Sequence, residues 1–206
     1  MTKLIIIRHC ETVLNAQGKI QSVHTDSAFT PEGERQLSCI LSRFKLEQIH
    51  AIYCSDLGRS FRTAEAIAED HHLQPLIVES LKECDIGEWK DLPLKEALHK
   101  WALFYENMKK KGMKREEIRP PHGENSFDHQ KRVMSVINMI LKKHPQESVV
   151  IVGHSGTNKV IIGSLFGKDP DDFYSLQQSN ACVNILEIQN GKVKEICLND
   201  MSHLMN

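Results

Sequence analysis

The sequence predicts an α/β protein, a three-layer α/β/α fold with a mostly parallel central sheet flanked by helices and a helical insertion over it. Three observations carry this expectation. Apolar, β-branched runs at 4–7 and 148–152 have the length and continuity of strands buried on both faces. Amphipathic helical patterns lie between them, and the final pair of alternating runs is joined by Asn190-Gly191.

The first run stops at Arg8-His9 and the second at Gly153-His154. A third strand is expected over 49–53, ending at Cys54-Ser55-Asp56. Thr30-Pro31 supplies a cap and a first-turn proline, after which Leu37, Ile40, Leu41 and Phe44 recur at helical spacing. Residues 60–68 read as helix, with Phe61, Ala64, Ile67 and Ala68 on one side. A longer helix is expected over 127–143 with Val133, Val136, Ile137, Ile140 and Leu141 as its stripe, and a short one over 157–166. Residues 183–188 and 193–198 alternate as a hairpin should, because both turn positions of Asn-Gly tolerate positive φ.

The segment 94–121 stands apart. It opens as an amphipathic helix carrying Leu94, Leu98, Trp101, Phe104, Tyr105 and Met108, continues through the basic stretch 109–115, and ends at Pro120-Pro121. Residues 92–125 are therefore expected as an inserted, lid-like segment within one domain of 206 residues. The basic stretch reads as a solvated face or as a surface for an acidic substrate, and the aromatics as packing or substrate contacts.

Composition narrows the function. A net charge of -1 gives no reason to expect nucleic acid or a membrane surface as partner. No apolar run approaches the ~18 residues of a membrane helix. The N-terminal apolar run is too short for a signal sequence, so the cytoplasm is expected. Six scattered cysteines suit reduced thiols, and eleven histidines include no His-Glu-x-x-His or similar ligand spacing, so no metal is expected.

In open α/β sheets, ligands sit beyond the carboxyl ends of the strands. Two expected strands end in His9 and His154, and a third ends near Arg59. If these strands are neighbours, two imidazoles converge with the guanidinium groups of Arg8 and Arg59. Such a cation cluster suits a dianionic phosphate, whose oxygens match arginine forks.

Arg8-His9-Cys10-Glu11-Thr12-x-x-Asn15 resembles the Arg-His-Gly-Glu-Thr-x-x-Asn motif of the histidine phosphatase superfamily, which includes the phosphoglycerate mutases. Further matches follow in order: Thr30-Pro31-Glu32-Gly33, Ser55-Asp56-Leu57-x-Arg59-Ser60-x-x-Thr63-Ala64 and Leu81-x-Glu83 with Gly87-x-Trp89. Then come Pro121-x-Gly123-Glu124-x-Ser126, Val152-Gly153-His154-Ser155-Gly156 and the ending Leu198-Asn199-Asp200. The resemblance spans nearly the whole chain and implies a metal-independent phosphatase that needs no cofactor. It implies His9 as nucleophile, Arg8, Arg59 and His154 as ligands of the phosphoryl oxygens, and Glu83 as general acid and base. Asn15, Ser155 and Gly156 are implied as substrate-binding. The partner is expected to be a small phosphorylated metabolite, and a homodimer through an edge strand or exposed helix is compatible with the sequence.

Cys10 departs from the family pattern, standing where glycine is usual. A thiol fits if that glycine serves close approach, and strains the loop if φ must be positive; beside the nucleophile it could also confer sensitivity to oxidation. Three bland readings accompany the sharp ones: Asn15 as a turn cap, Glu83 as one of several surface glutamates, Glu124 and Ser126 as helix caps.

Rival chemistries are weaker. A cysteine phosphatase needs Cys-x-x-x-x-x-Arg, but Cys10 has Ala16 at that place and Cys54 meets Arg59 one residue too soon. The P-loop pattern is absent. A mutase would usually carry Arg-x-Tyr-Gly after the acid, where this chain reads Glu83-Cys84-Asp85-Ile86-Gly87-Glu88-Trp89. An inactive phospholigand-binding protein should have lost one of Arg8, His9, Arg59 or His154, and all four are present.

Overall fold

The computed structural model describes residues 1–90 and 92–205. Strand β1 (Thr2–Arg8) is followed by a single-turn helix α1 (Val13–Ala16), then α2 (Pro31–Phe44), β2 (Ala51–Cys54), α3 (Gly58–Asp70) and the two-residue β3 (Leu76–Ile77). Helix α4 (Leu94–Lys110) occupies the inserted segment. The chain continues through α5 (Ser126–Lys143), β4 (Ser148–Gly153), α6 (Ser155–Leu165), β5 (Val183–Gln189) and β6 (Lys192–Asp200).

The sheet order is β3-β2-β4-β1-β5-β6. Its first four strands are parallel, and β5 and β6 complete one side antiparallel. Alternation along the strands sends side chains to two cores. Ile5, Ile7, Ile52, Cys54, Val150 and Val152 pack with Ile40 and Phe44 of α2 and with Ala64 and Ile67 of α3. Leu4, Ile6, Ala51, Tyr53, Val149 and Ile151 pack on the other face with Val133, Ile137 and Ile140 of α5 and with Val160, Ile161 and Ile162 of α6. Both faces of β1 and β4 are covered, which is why their sequences are unbroken apolar runs. Each buried Ile, Leu or Val contributes about 1.5–3 kcal/mol through desolvation.

Local turn chemistry matches the sequence at two element ends. The Thr30 side chain accepts from the Gly33 N–H at 3.0 Å and Pro31 occupies the first turn of α2. At the hairpin, Asn190 and Gly191 both have positive φ, 51° and 73°. The strand expected over 49–53 begins later, at Ala51.

The helix expected from the amphipathic pattern is present as α4, but Leu94 and Leu98 on its apolar face are 49% and 57% exposed. The Trp101 and Phe104 rings instead meet Trp89, with centroids 5.8 and 5.4 Å away. The packing partner of this helix includes a short turn at Gly87–Trp89, so its aromatic middle is partly covered while its leucines stay in solvent.

Gly33 lets α2 press against the loop after β1, since a Cβ there would overlap the Glu11 carbonyl oxygen and approach the Phe29 Cβ at 3.2 Å. Gly33→Ala is expected to lower the urea unfolding free energy by about 1–3 kcal/mol, the usual cost of overpacking. An unchanged midpoint would show that this loop can give way freely.

Candidate active site

Register brings the strand ends together. Arg8 lies opposite Gly153 and Cys54 opposite Val152, so His9, His154 and Ser55 emerge side by side from three adjacent strands. His9 is 3% exposed. Its backbone N–H donates to the Gly153 carbonyl at 3.1 Å, and its carbonyl accepts from the Ala181 N–H at 3.2 Å. The ring Nδ1 lies 2.8 Å from the Cys10 carbonyl. A carbonyl can only accept, so Nδ1 carries the proton and Nε2 keeps the lone pair. Burial first, then Arg8 and Arg59, hold the His9 pKa well below the imidazole range. The ring is neutral.

His154 is 1% exposed, and its ring centroid lies 5.3 Å from that of His9 at an interplanar angle of 59°. Its Nε2 meets the Ser55 hydroxyl at 2.7 Å, whereas the buried Nδ1 has no protein partner. Burial, then the charges of Arg59 and Arg8, also depress its pKa well below the usual value. With Ser55 donating, Nδ1 carries a proton that an oxyanion could accept.

Both guanidinium groups are tied down, Arg8 by a main-chain carbonyl and Arg59 by main-chain carbonyls and an ion pair with Asp26. Arg8 Nη1 donates to the Gln178 carbonyl at 2.7 Å. Arg59 Nη1 donates to the Thr25 carbonyl at 2.9 Å and to Asp26 Oδ1 at 3.2 Å, while Nη2 donates to the Ser22 carbonyl at 3.3 Å. The Nε atoms of both arginines are buried without protein partners. Burial lowers both pKa values, but an arginine remains cationic at any working pH.

Glu83 approaches from the segment after β3. Its carboxylate accepts from the N–H groups of Gly156 at 2.9 Å and Thr157 at 3.1 Å, and from Cys84 at 2.9 Å. Two of these are first-turn donors of α6 that a helix leaves unsatisfied. Glu83 therefore sits on the positive end of that helix, where it offsets part of the lowering that burial imposes on the Arg8 pKa. Gly156 is required there, because a Cβ would overlap the Glu83 carboxylate. Its N–H is thereby committed to Glu83, and the neighbouring Ser155 opens the helix. Asn15 Oδ1 accepts from the Thr12 N–H and hydroxyl and from Asn180, so Asn15 does cap a turn, and its amide nitrogen is what it could offer an anion.

Two guanidinium groups, one of them paired with Asp26, two neutral imidazoles and the Glu83 carboxylate thus face one another at the carboxyl edge of the sheet. A model described as the histidine phosphatase superfamily (branch 1) matches residues 4–201. The chain belongs to the histidine phosphatase superfamily. A metal-independent phosphoserine phosphatase of Arabidopsis thaliana is 30% identical over 211 residues, covering 99% of this chain and 84% of the relative. A phosphoglycerate mutase-like protein of the same plant is 30% identical over 207 residues, covering 98% and 86%. The crystal structure of a phosphoserine phosphatase from Entamoeba histolytica, in complex with 3-phosphoglyceric acid, is 27% identical with a TM-score of 0.84 and covers both chains fully. The chain is a phosphatase of this superfamily, within which mutase-like members also occur.

The unusual Cys10 of this histidine phosphatase is accommodated. It is not among the residues with positive φ, it is fully buried in the core between the sheet and α2–α3, and burial pushes its thiol up to about 12. Such a thiol is inert, which removes the ground for expecting oxidation at this position. The capping reading of Glu124 and Ser126 is corrected: Asn125 is the N-cap of α5 and accepts from the Asp128 N–H at 2.8 Å, while Glu124 pairs with Arg132. Cys84, Glu124 and His129 form a group whose donor atoms lie within 4.8 Å of one another. Glu124 is bound there by both nitrogens of one edge of Arg132, an arrangement that competes with a metal. Sequence reasoning missed Ser55, Asp26, Gln178 and Asn180 as partners of the site. Three of them act through backbone or short polar contacts that no motif encodes. Among the described residues, no helix is long and apolar enough to cross a membrane.

Proposed function

We propose that this chain hydrolyses small phosphomonoesters through a phosphohistidine on His9. The observation that supports it most is the His9 ring, neutral through burial and held by the Cys10 carbonyl so that the Nε2 lone pair is the free nucleophile. In the first half-reaction Nε2 attacks phosphorus and the P–O bond to the alcohol breaks. Glu83, which enters this step in its protonated form, gives the proton to the departing oxygen, and Arg8, Arg59 and His154 Nδ1 hold the equatorial oxygens where charge is spread. In the second, Glu83 takes a proton from water as that water attacks phosphorus. The P–N bond breaks, its electron pair returns to Nε2, and inorganic phosphate leaves with Glu83 protonated again. Positive charge from fixed side chains does here the electrostatic work that a metal ion does in other phosphoryl-transfer enzymes, so the reaction is metal-independent.

Residues 1–206 act in this reading as one catalytic domain, with 92–125 as a lid. The insertion is tied to the site by main-chain bonds, from the Ile20 N–H to the Leu92 carbonyl and from the Leu94 N–H to the Gly18 carbonyl, both at 3.0 Å. The next residues of that same loop, Ser22 to Asp26, hold Arg59. Relatives named for phosphoserine, and a neighbour that binds 3-phosphoglyceric acid, favour a small phosphorylated carboxylate as substrate. The mutase-like relatives favour a second reading, return of the phosphoryl group to another hydroxyl. Release of phosphate without isomerised phosphoglycerate separates the two.

The mechanism is tested by mixing the protein with p-nitrophenyl phosphate, quenching at alkaline pH and mapping the peptides by mass. A phosphoryl group on His9, lost on mild acid treatment, is expected. A label that survives acid, or that maps elsewhere, counts against it.

A further inference from the structure

Arg132 lies on α5 and belongs to none of the motifs that point to the site. Its side chain nevertheless makes the densest set of polar contacts at the edge of the site. Nη1 donates to the carbonyls of Ser80 at 3.0 Å and Lys82 at 2.9 Å, and Nη2 donates to the carbonyl of Glu83 at 2.9 Å. Nε donates to Glu124 Oε2 at 2.9 Å, and Nη2 also donates to Glu124 Oε1. A guanidinium has five N–H donors in a fixed plane, and these five contacts account for all of them. Glu124 Oε1 in turn accepts from the Asp85 N–H at 3.0 Å, and the Glu124 N–H donates to the Asp85 carbonyl at 2.8 Å. The segment from Ser80 to Asp85 is thereby held at both ends by one ion pair.

That segment pairs with no strand, so its carbonyls need partners from elsewhere. It also carries Glu83, whose carboxylate must sit on the first turn of α6 beside the histidines. We propose that Arg132, backed by Glu124, is the positioning residue that sets the main chain of Glu83 and so aims its carboxylate at the leaving-group oxygen. This rests on the general acid role of Glu83 in the proposed reaction. Lysine cannot replace the fork: it offers a point charge and no planar array of donors, so the carbonyls of Ser80 and Glu83 cannot both keep their bonds, while that of Lys82 also accepts from the Thr157 hydroxyl at 2.7 Å.

The test compares kcat/KM for p-nitrophenyl phosphate with that for phenyl phosphate, since p-nitrophenolate departs without a proton far more readily than phenolate. Arg132→Lys should raise the ratio of the two roughly tenfold, as loss of general acid assistance does, and Glu83→Gln should raise it by at least as much. Adding Arg132→Lys to Glu83→Gln should leave the ratio unchanged within about twofold, because both act on one step. Glu124→Gln keeps the carbonyl bonds of Arg132 but weakens its anchor, and should move the ratio the same way by less. It carries the test if Arg132→Lys does not fold. Equal losses on both substrates in Arg132→Lys and Glu124→Gln would reduce the pair to a structural role and overturn the proposal. If Glu83→Gln moves the ratio and neither of the others does, the positioning role falls and the acid stands. If Glu83→Gln leaves it unmoved, the acid assignment fails and takes the positioning role with it.

Discussion

His9→Ala is expected to remove turnover of p-nitrophenyl phosphate by at least about 10⁴-fold, with EDTA present for both proteins, because covalent routes collapse when the nucleophile is deleted. The imidazole does more than bind. Arg8, Arg59 and His154 remain in the variant, each anchored by contacts that do not involve the His9 ring. Phosphate or vanadate should therefore still bind, with an affinity within about tenfold of the parent. That separation is the informative part. Loss of binding together with turnover, in a protein that is still folded, would make His9 a structural member of the cluster. Turnover retained would leave Glu83 activating water directly, an inverse assignment that needs no phosphohistidine.

The site was legible where side chains follow directly from buried strands. Arg8, His9 and His154 end β1 and β4, and two parallel strands buried on both faces must deliver their carboxyl ends to one edge. Glu83 was legible only through resemblance. Its position depends on a segment outside the sheet, an arginine nearly fifty residues later and the N-terminus of α6, none of which shares a sequence pattern with it. Ser55 was written inside a motif, yet its contact with His154 Nε2 depends on β2 lying next to β4, which the sequence leaves open.

The same limit applies to the fold. Long periodic helices and two-sided strands declare themselves through burial on the scale of whole segments. Helix α1 has one turn and no buried residue; it exists because Thr12 and Asn15 close a capping box, a local hydrogen-bond event rather than a period. Strand β3 is two exposed residues at the sheet edge, Leu76 and Ile77, with no hydrophobic alternation to reveal it. The exposure of Leu94 and Leu98 was illegible for the opposite reason: a helical stripe says that a face is apolar, but its coverage depends on the neighbour that tertiary structure provides.

Acid should destabilise this protein steeply, beginning at a pH where carboxylates are still ionised. His9, His129 and His154 are 3%, 0% and 1% exposed, and burial holds all three pKa values well below 6.5, aided at His9 and His154 by Arg8 and Arg59 and at His129 by Arg132. A base with a depressed pKa in the folded state is neutral there while the unfolded chain protonates it. Below about pH 6.5 the unfolded state thus holds up to three more protons than the native state, and stability rises with pH through that window and is lost as pH falls. Each histidine contributes a slope of about 1.4 kcal/mol per pH unit, and together about 4 kcal/mol per unit, until the native rings themselves titrate. Urea unfolding between pH 7 and pH 5 reads the slope. His129→Gln keeps a donor for the Thr157 hydroxyl, now 3.1 Å from His129 Nε2, and should flatten the slope by about a third. A level stability curve across pH 6.5 would mean that these rings titrate normally, and His9 would then be protonated in mild acid and unable to attack. The steep curve and a nucleophile that still works below pH 6.5 are two consequences of one burial, so kcat/KM for p-nitrophenyl phosphate should hold through the ordinary imidazole range for as long as the protein stays folded.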